Sequence, residues 1–298
     1  DMKKIAAMPK VQNYYKLMSD IDYNNEHYYM IGTRNEEYSN KSYYFAGIID
    51  GNLHTIKNVE VKGYNNIGLI GYANSAGVQG LNVENATIVG NNNVGLFGYV
   101  SGENSNNPTT IVGLNIKNIN VKGNSNVGGV AGYLFTNAKI NEIAIDGNIE
   151  ATGSQVGGLV GNCFSYGAVQ GIVESGTITG NDKVYATSYS NTSSKAVKTA
   201  YVNSKVKVIK NSKEVTDSYG GTLYNDDETG NLNLYNDYID TWLGGDNDGS
   251  GYYFDYESET SNKIVLRKQN EIDIKFEKGS GTQEDPYLIY NKSDMKKI

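Results

Sequence analysis

Several residue types that often carry chemistry are scarce in this 298-residue sequence. The only cysteine, Cys163, lies in an apolar run, so no disulfide can form within the chain and a buried, unreactive thiol is the favoured interpretation. His27 and His54 are the only histidines, and the lack of any His/Cys cluster argues against a zinc-dependent active site. With only three prolines, the chain is neither collagen nor a proline-rich linker.

Long hydrophobic runs and blocks of basic charge are also missing. A membrane-spanning helix needs roughly 18 consecutive apolar residues, whereas the apolar runs here are four or five residues long. Residues 1–4 are not followed by the apolar stretch of a signal peptide, so location has to be inferred indirectly. The formal net charge is −7, without a cluster of Lys or Arg. We therefore expect no direct membrane insertion and no nucleic-acid partner.

Glycine, by contrast, is abundant, and eight of the 35 glycines belong to a repeat. Each copy has Asn or Gln, then Val or Ile, then two glycines three or four residues apart. The leading glycines are spaced by 27, 33 and 29 residues, and the longest step contains the polar segment 102–108, which is typical of a surface loop. The repeated glycines are Gly68 and Gly71, Gly95 and Gly98, Gly128 and Gly132, and Gly157 and Gly161.

Between the glycine motifs, apolar and polar residues alternate, as in 59–61 and 119–121. A period of two predicts strands, and a repeat of this length cannot bury its inner face unless it stacks on its neighbours. The sequence therefore predicts an all-β solenoid in which equivalent residues form ladders. The expected ladders are Ile67–Val94–Val127–Val156 and Leu69–Leu96–Val130–Leu159 inside, Asn66–Asn93–Asn126 at a turn, and a tyrosine column, Tyr72–Tyr99–Tyr133, broken at Asn162.

This glycine repeat resembles the GLUG motif of bacterial surface and adhesin-type proteins. The lead-in is also similar to the non-catalytic N-terminal region of Gram-positive immunoglobulin-A-cleaving metallopeptidases, through Asp20-Ile21-Asp22, Ile31-Gly32 and the segment 45–56 with Asp50-Gly51. The resemblance covers about residues 1–180. It implies a right-handed parallel β-helix in an exported, cell-surface or secreted protein, and it carries no catalytic residue.

The sequence divides into three parts. Residues 1–180 are predicted to form the solenoid. Residues 181–278 are predicted to be an irregular β-rich segment that either continues the solenoid or caps it and forms a junction. Residues 279–298 contain a strand-like Pro-Tyr-Leu-Ile and end in a pentapeptide identical to residues 1–5, at a distance of 293 residues. We interpret 279–298 as the start of the next unit of a tandem array.

One segment fits the twelve-residue pattern of a calcium-binding loop. Oxygen ligands would come from Asp246, Asp248, Ser250, the carbonyl of Tyr252 and a bidentate Glu257. However, the flanking helices of an EF-hand are not evident, so a plain strand after a turn is the alternative. Calcium is the one cofactor for which the sequence offers a pattern.

Asp20, Asp22 and Asp50 are similar to the carboxylates of polysaccharide-cleaving β-helices, which stand with Lys or Arg on one face. A structural interpretation fits better, because Asp-Gly steps such as Asp50-Gly51 are typical of turns and arginine is almost absent. We expect a non-enzymatic, extracellular module of a tandem-repeat bacterial surface protein, which acts as a fibre, stalk or adhesin with neighbouring copies joined head to tail. The alternative is a glycan- or host-protein-binding adhesion domain, attached to a separate catalytic domain, in which some of the 25 tyrosines form the binding face. A polysaccharide-degrading enzyme is the third hypothesis.

Overall fold

The architecture was determined from a computed structural model, in which the described residues contain strands and no helix. It follows that no helix in these residues is long and apolar enough to cross a membrane. The all-β prediction is confirmed. The described residues are 10–11, 13–24, 28–32, 44–164, 168–190, 197–216, 220–224, 252–256 and 264–268.

The strands become longer towards the middle of the chain. In chain order they are β1 (Lys10–Val11), β2 (Tyr14–Lys16), β3 (Ile21–Asp22), β4 (Tyr44–Phe45), β5 (Ile48–Asp50), β6 (Thr55–Lys57), β7 (Glu60–Lys62), β8 (Asn65–Ile67), β9 (Ile70–Asn74), β10 (Gly77–Glu84), β11 (Thr87–Val89), β12 (Asn92–Val94), β13 (Phe97–Ser101), β14 (Thr109–Gly123), β15 (Ser125–Gly128), β16 (Ala131–Leu134), β17 (Ala138–Ala151), β18 (Ser154–Gly157), β19 (Val160–Cys163), β20 (Ala168–Gly180), β21 (Asp182–Tyr185), β22 (Ser188–Ser190), β23 (Val197–Asn203), β24 (Lys207–Lys210), β25 (Lys213–Val215), β26 (Thr222–Tyr224), β27 (Tyr252–Tyr256) and β28 (Ile264–Lys268).

Parallel pairing joins most of these strands into three sheets. One sheet has the order β1-β4-β9-β13-β16-β19-β22, and a second has the order β8-β12-β15-β18-β21. The third, which we call the long sheet, follows the path β2-β5-β10-β14-β17-β20-β23-β26. Along each sheet, successive strands come from successive sequence repeats, so the chain winds around one axis. The protein is therefore a parallel β-solenoid, as predicted.

The strand register brings the repeated apolar residues into contact. Val94 pairs with Ile67 on one side and with Val127 on the other, and Val127 pairs with Val156. All four side chains are buried in the single large core inside the solenoid. The ladder predicted from the sequence is confirmed. The second predicted ladder is buried in the same core and consists of Leu69, Leu96, Val130 and Leu159.

The repeated glycines lie where the backbones of adjacent coils touch. A Cβ atom on Gly68 would lie 2.5 Å from the carbonyl oxygen of Gly95, and one on Gly98 would lie 2.4 Å from the carbonyl carbon of Asn66. Because neither contact is with a side chain that could move aside, a larger residue would push two coils apart. The other repeated glycines and Gly51 have backbone atoms equally close: Gly71, Gly95, Gly128, Gly132, Gly157 and Gly161.

Strands after residue 180 add further parallel pairs to the stack. β21 pairs with β18, β23 pairs with β20, and β26 pairs with β23. By contrast, β24 pairs in parallel with β20 and then in antiparallel fashion with β25. The stack therefore continues through the described residues up to β26, and β25 covers the free edge of β24. The division at 180 and 278 stays a prediction. Residues 279–298 lie outside the described residues.

Candidate functional site

Asparagine side chains form a hydrogen-bonded ladder at one turn of the solenoid. Asn66, Asn93 and Asn126 all have the left-handed backbone, with φ between 53° and 55°. The Nδ2 atom of Asn93 donates to Oδ1 of Asn66 at 2.8 Å, and Asn126 donates to Asn93 at the same distance. Asn162 extends the ladder by donating to Asn126 at 3.2 Å. The predicted ladder is confirmed. Asn162, which interrupts the tyrosine repeat, is its fourth member.

A second asparagine ladder, not predicted from the sequence, lies at another turn of the solenoid. Asn85 donates to Asn58 at 3.2 Å and Asn118 donates to Asn85 at 2.8 Å, again with left-handed backbones. A carboxylate accepts a hydrogen bond at each end of this ladder. The side chain of Asn58 donates to Asp22 at 2.8 Å, and the backbone amide of Asn118 donates to Asp146. The signal was present, since the three asparagines have the same 27- and 33-residue spacing as the glycines.

The tyrosine column predicted from the repeat is present, but its rings contact one another. The ring centroids of Tyr72 and Tyr99 are 5.2 Å apart at right angles, and Tyr99 and Tyr133 are 5.2 Å apart with planes 23° from parallel. Phe135 and Phe164 form a stacked pair beside the column. Tyr99, between the other two rings, is only 8% exposed, so its neighbours cover most of its surface.

A line of residues with left-handed backbone crosses the long sheet. Gly80 in β10, Gly113 in β14 and Glu142 in β17 have φ of 61°, 64° and 52°. Beside this line, Ala144 and Ile172 are paired residues whose neighbours in the strand face the core. Their own side chains belong to a separate apolar cluster on the outer face of the sheet. We call this cluster's solenoid residues the outer patch: Ala144, Ile172, Tyr201 and Tyr224.

A β-hairpin lies over β10 and β14 of the long sheet, and one of its residues reaches the outer patch. β27 and β28 pair in antiparallel fashion with each other and form a separate two-stranded sheet. From β28, Leu266 is 6% exposed and belongs to the same cluster as the outer patch. We call β27 and β28 the clasp hairpin. At about 25 cal/mol per Å² of apolar surface, the burial of Leu266 alone is worth roughly 1.5–3 kcal/mol.

The clasp hairpin also supplies a charge to a buried carboxylate. Asp50 has a side chain that is 3% exposed, and Nζ of Lys268 lies 3.4 Å from its Oδ2 atom. The hydroxyl of Tyr14 donates to the same oxygen at 2.9 Å, and the amide of Asn52 donates to Oδ1 at 2.9 Å. Burial, followed by the hydrogen bond to the Asp50 carboxylate, raises the pKa of Tyr14. Asp50 therefore holds a turn and anchors the hairpin.

The remaining acidic and histidine candidates have structural contacts. Nδ1 of His54 lies 3.2 Å from Oδ1 of Asp20, which also accepts the amide of Thr55 at 2.9 Å. The Thr55 amide, and then His54, lower the pKa of Asp20. The hydrogen bond from Asn58 lowers the pKa of Asp22. His27 lies outside the described residues.

Cys163 is buried in the core as a free thiol, as the sequence predicted. Burial raises its pKa to about 12, so the thiolate required of a nucleophile is very rare at neutral pH. The apolar run around Cys163 in the sequence was sufficient to predict its burial.

The calcium-loop prediction falls mostly on residues that are not described. Asp246, Asp248, Ser250 and Glu257 lie outside the described ranges, while Tyr252 begins β27. Among the residues that the structure describes, no group of three or more His, Cys, Asp or Glu side chains could hold a metal ion. Calcium binding by 246–257 stays a prediction.

Comparisons with known proteins give one fold similarity. No family model and no curated protein matches the chain. Among solved structures, it is similar to the crystal structure of a "putative immunoglobulin A1 protease" from Bacteroides ovatus, with a TM-score of 0.54 and 16% sequence identity. The similarity covers 78% of this chain and 83% of that one. At this level of identity, the shared feature is the solenoid fold.

Proposed function

We propose that the chain is a non-enzymatic structural unit of an extracellular, tandem-repeat bacterial surface protein that forms a fibre, stalk or adhesin. The observation that carries this proposal is the continuous parallel pairing in three sheets along one axis. Seven strand spacings along the path of the long sheet correspond to a rod of about 34 Å. Such a body serves as a rigid spacer, because each coil is hydrogen-bonded to the next along its length.

The side-chain ladders support a load-bearing role. Two asparagine ladders and the inner aliphatic ladders connect the coils in the same direction as the backbone bonds. These side-chain contacts therefore join successive coils. We infer that axial force is shared among several parallel series of bonds, as a stalk requires.

Two buried carboxylates of the long sheet, Asp50 and Glu142, are too far apart to act as a pair. Asp50 and Glu142 are 2% and 4% exposed, and they lie on strands that are three steps apart in the long sheet. Three strand spacings are about 14 Å, whereas the carboxyl groups of glycosidases are at most about 9.5 Å apart. These two residues thus do not form the acid–base pair of a polysaccharide-degrading β-helix.

Sequence features support the extracellular and tandem parts of the proposal. The resemblance to GLUG-motif surface proteins favours a cell-surface or secreted location. The pentapeptide shared by residues 1–5 and 294–298 favours a unit of 293 residues whose neighbouring copies are head-to-tail partners.

Electron microscopy of proteins with one, two and four tandem copies tests this function. We expect rods whose length grows by an equal increment with each copy. Separate compact particles joined by flexible linkers would contradict the proposed function. The same samples in calcium and in chelator test the metal prediction: shortening or bending on chelation, absent in an Asp246→Asn, Glu257→Gln variant, would assign calcium to the 246–257 loop.

The fold similarity favours a second function, an adhesion domain attached to a separate catalytic domain. The Bacteroides ovatus structure bears a protease name and has the same type of solenoid. Its ligand here would be a host protein such as immunoglobulin A, or a glycan. Biolayer interferometry of the chain against immunoglobulin A and a glycan panel tests this alternative. A Tyr72→Ala, Tyr133→Ala variant should lose any binding by the tyrosine column, while Tyr64→Ala, which removes a side chain that is 73% exposed, serves as the control.

A further inference from the structure

The clasp hairpin connects the last described residues of the chain to the first coils of the solenoid. Lys268, at the end of β28, lies 3.4 Å from the carboxylate of Asp50. The backbone oxygen of Asp50 accepts a hydrogen bond from the amide of Leu17, just after β2, at 2.9 Å. Two distant points of the sequence therefore meet at one residue of β5.

This contact decides how a pulling force passes through the molecule. We propose that the clasp hairpin acts as a releasable strap, which opens before the solenoid when the chain is under tension. While it is docked, it passes the force from Lys268 to the first coils. Once it is released, the whole stack carries the force and the molecule becomes longer. This inference rests on the stalk role in the proposed function and describes how force reaches the coils.

The docked clasp hairpin bypasses much of the stack. Along the long sheet, β5 is the second strand and β26 is the eighth. A pull on Lys268 is transmitted through Asp50 to Leu17, and the hairpin also contacts β10 and β14, the third and fourth strands. The shortest route for the force thus runs through the first coils. It omits the far end of the stack, since β26 lies six strand spacings, about 29 Å, from β5.

The clasp hairpin is held less tightly than the coils are. Among the described strands, β27 and β28 pair only with each other, whereas successive coils share three backbone ladders and one core. A two-stranded hairpin is at best marginally stable alone in water. A pull at Lys268 acts on the end of β28, so it breaks the contacts of Lys268 and Leu266 in turn. We therefore expect local opening to need less free energy than separation of the coils.

Release lengthens the molecule by a defined amount. Residues 225–268 connect the end of β26 to the end of β28, and they number 44. Fully extended, they span about 145–160 Å. With the stack between β5 and β26 added, the gain in length is roughly 170–190 Å.

Optical tweezers applied to the full chain test this release. Handles are attached through Met18→Cys and Gln269→Cys in a Cys163→Ala background. Met18 is 78% exposed, and these two positions lie next to the residues that meet at Asp50. We expect a first, reversible step of roughly 170–190 Å in contour length, followed at higher force by unfolding of the solenoid. Unfolding of the coils before or without this step would overturn the proposal.

A matched pair of leucine variants identifies the contact that is broken. Leu266→Ala should raise the rate of the first step at a given force by about tenfold or more, because a buried side chain is lost. Leu223→Ala, which truncates a leucine that is 50% exposed in β26, is the control. If Leu266→Ala releases the hairpin without force, the molecule should start longer by the same amount and the solenoid should unfold at the same force. Equal rates in the two variants would overturn the proposal.

The outcomes separate the clasp hairpin from the proposed function. The tweezers experiment uses one copy, so its result does not depend on a tandem array. Electron microscopy of the multi-copy proteins reports whether the units form a rod. Rods whose single units lack the first step would refute the release alone. A first step in single units whose multi-copy proteins form no rod would refute the structural function and support the release.

Discussion

The ammonium group of Lys268 lies 3.4 Å from the carboxylate of Asp50, although 218 residues separate them in the sequence. The pair links a terminal hairpin to one of the first coils of the solenoid. Asp50 is almost completely buried, while the Lys268 side chain is 31% exposed. Because little water reaches the Asp50 carboxylate, its hydrogen bonds and the charge of Lys268 have to stabilise it. The lysine side chain retains contact with water.

The first prediction concerns this pair. Lys268→Ala should lower the free energy of unfolding by about 1–2 kcal/mol, because a buried carboxylate loses one charged partner and keeps its bonds to Tyr14 and Asn52. Urea denaturation measures the change. Lys122→Ala, which breaks the exposed pair with Glu150, is the control and should change stability by less than about 1 kcal/mol. Equal effects would show that the hairpin is not anchored by Asp50.

A second prediction concerns the asparagine ladder. Asn93→Ala should destabilise the protein by about 2–4 kcal/mol, because Asn66 and Asn126 each lose one side-chain hydrogen bond and alanine disfavours the left-handed backbone. Asn93→Gly accepts this backbone and should be less harmful, so the difference separates conformation from hydrogen bonding. Asn106→Ala, in the exposed insert, should be neutral within about 0.5 kcal/mol. Thermal unfolding compares the three, and a neutral Asn93→Ala would show that the ladder contributes nothing.

The third prediction distinguishes two glycines. Gly98→Ala should cost on the order of 3 kcal/mol, because its Cβ would lie 2.4 Å from a backbone atom of Asn66. At Gly77 the nearest atoms are side-chain atoms of Ile48 at 3.2 Å or more, so Gly77→Ala should be tolerated. Ile48 is 42% exposed and can move. Circular dichroism melting of both variants measures the contrast, which would disappear if the coils could separate freely.

The fourth prediction follows from the buried thiol. The pKa of Cys163 is raised to about 12, whereas an unfolded thiol has a pKa of about 8.5. Because the raised value keeps the folded thiol neutral, stability from this group is complete below pH 8.5 and decreases as pH rises towards 12. The free energy of unfolding should fall by up to about 1.4 kcal/mol per pH unit in that window.

Cys163→Ala lacks the thiol and keeps every tyrosine, so it is the reference for other groups that ionise at high pH. The difference in unfolding free energy between the two proteins should therefore shrink from pH 9 to pH 11. A constant difference would mean that the thiol ionises equally in both states. Labelling of Cys163 by a thiol reagent at pH 8 should likewise follow the rate of unfolding.

The sequence was sufficient for the solenoid because its repeats carry the same residues to the same places. Asn66, Asn93 and Asn126 stack as their spacing predicts. The role of Asn162 was not predictable, because its column position was that of a tyrosine and only the folded turn brings its amide to Asn126. The contact between Lys268 and Asp50 could not be predicted from the sequence either. The clasp hairpin has no repeat signal, and its docking depends on an outer face that forms only after the coils have stacked.

The strand register has a consequence for how such a protein changes over generations. Val94 pairs with Ile67 and with Val127 in equivalent positions, so an added coil meets its neighbours through contacts that already exist. A recombination error that duplicates or deletes one coil alters the length of the rod without creating a mismatched surface. The polar segment 102–108 shows that a coil also accommodates extra residues at its rim. Length and surface decoration can therefore vary independently of the core.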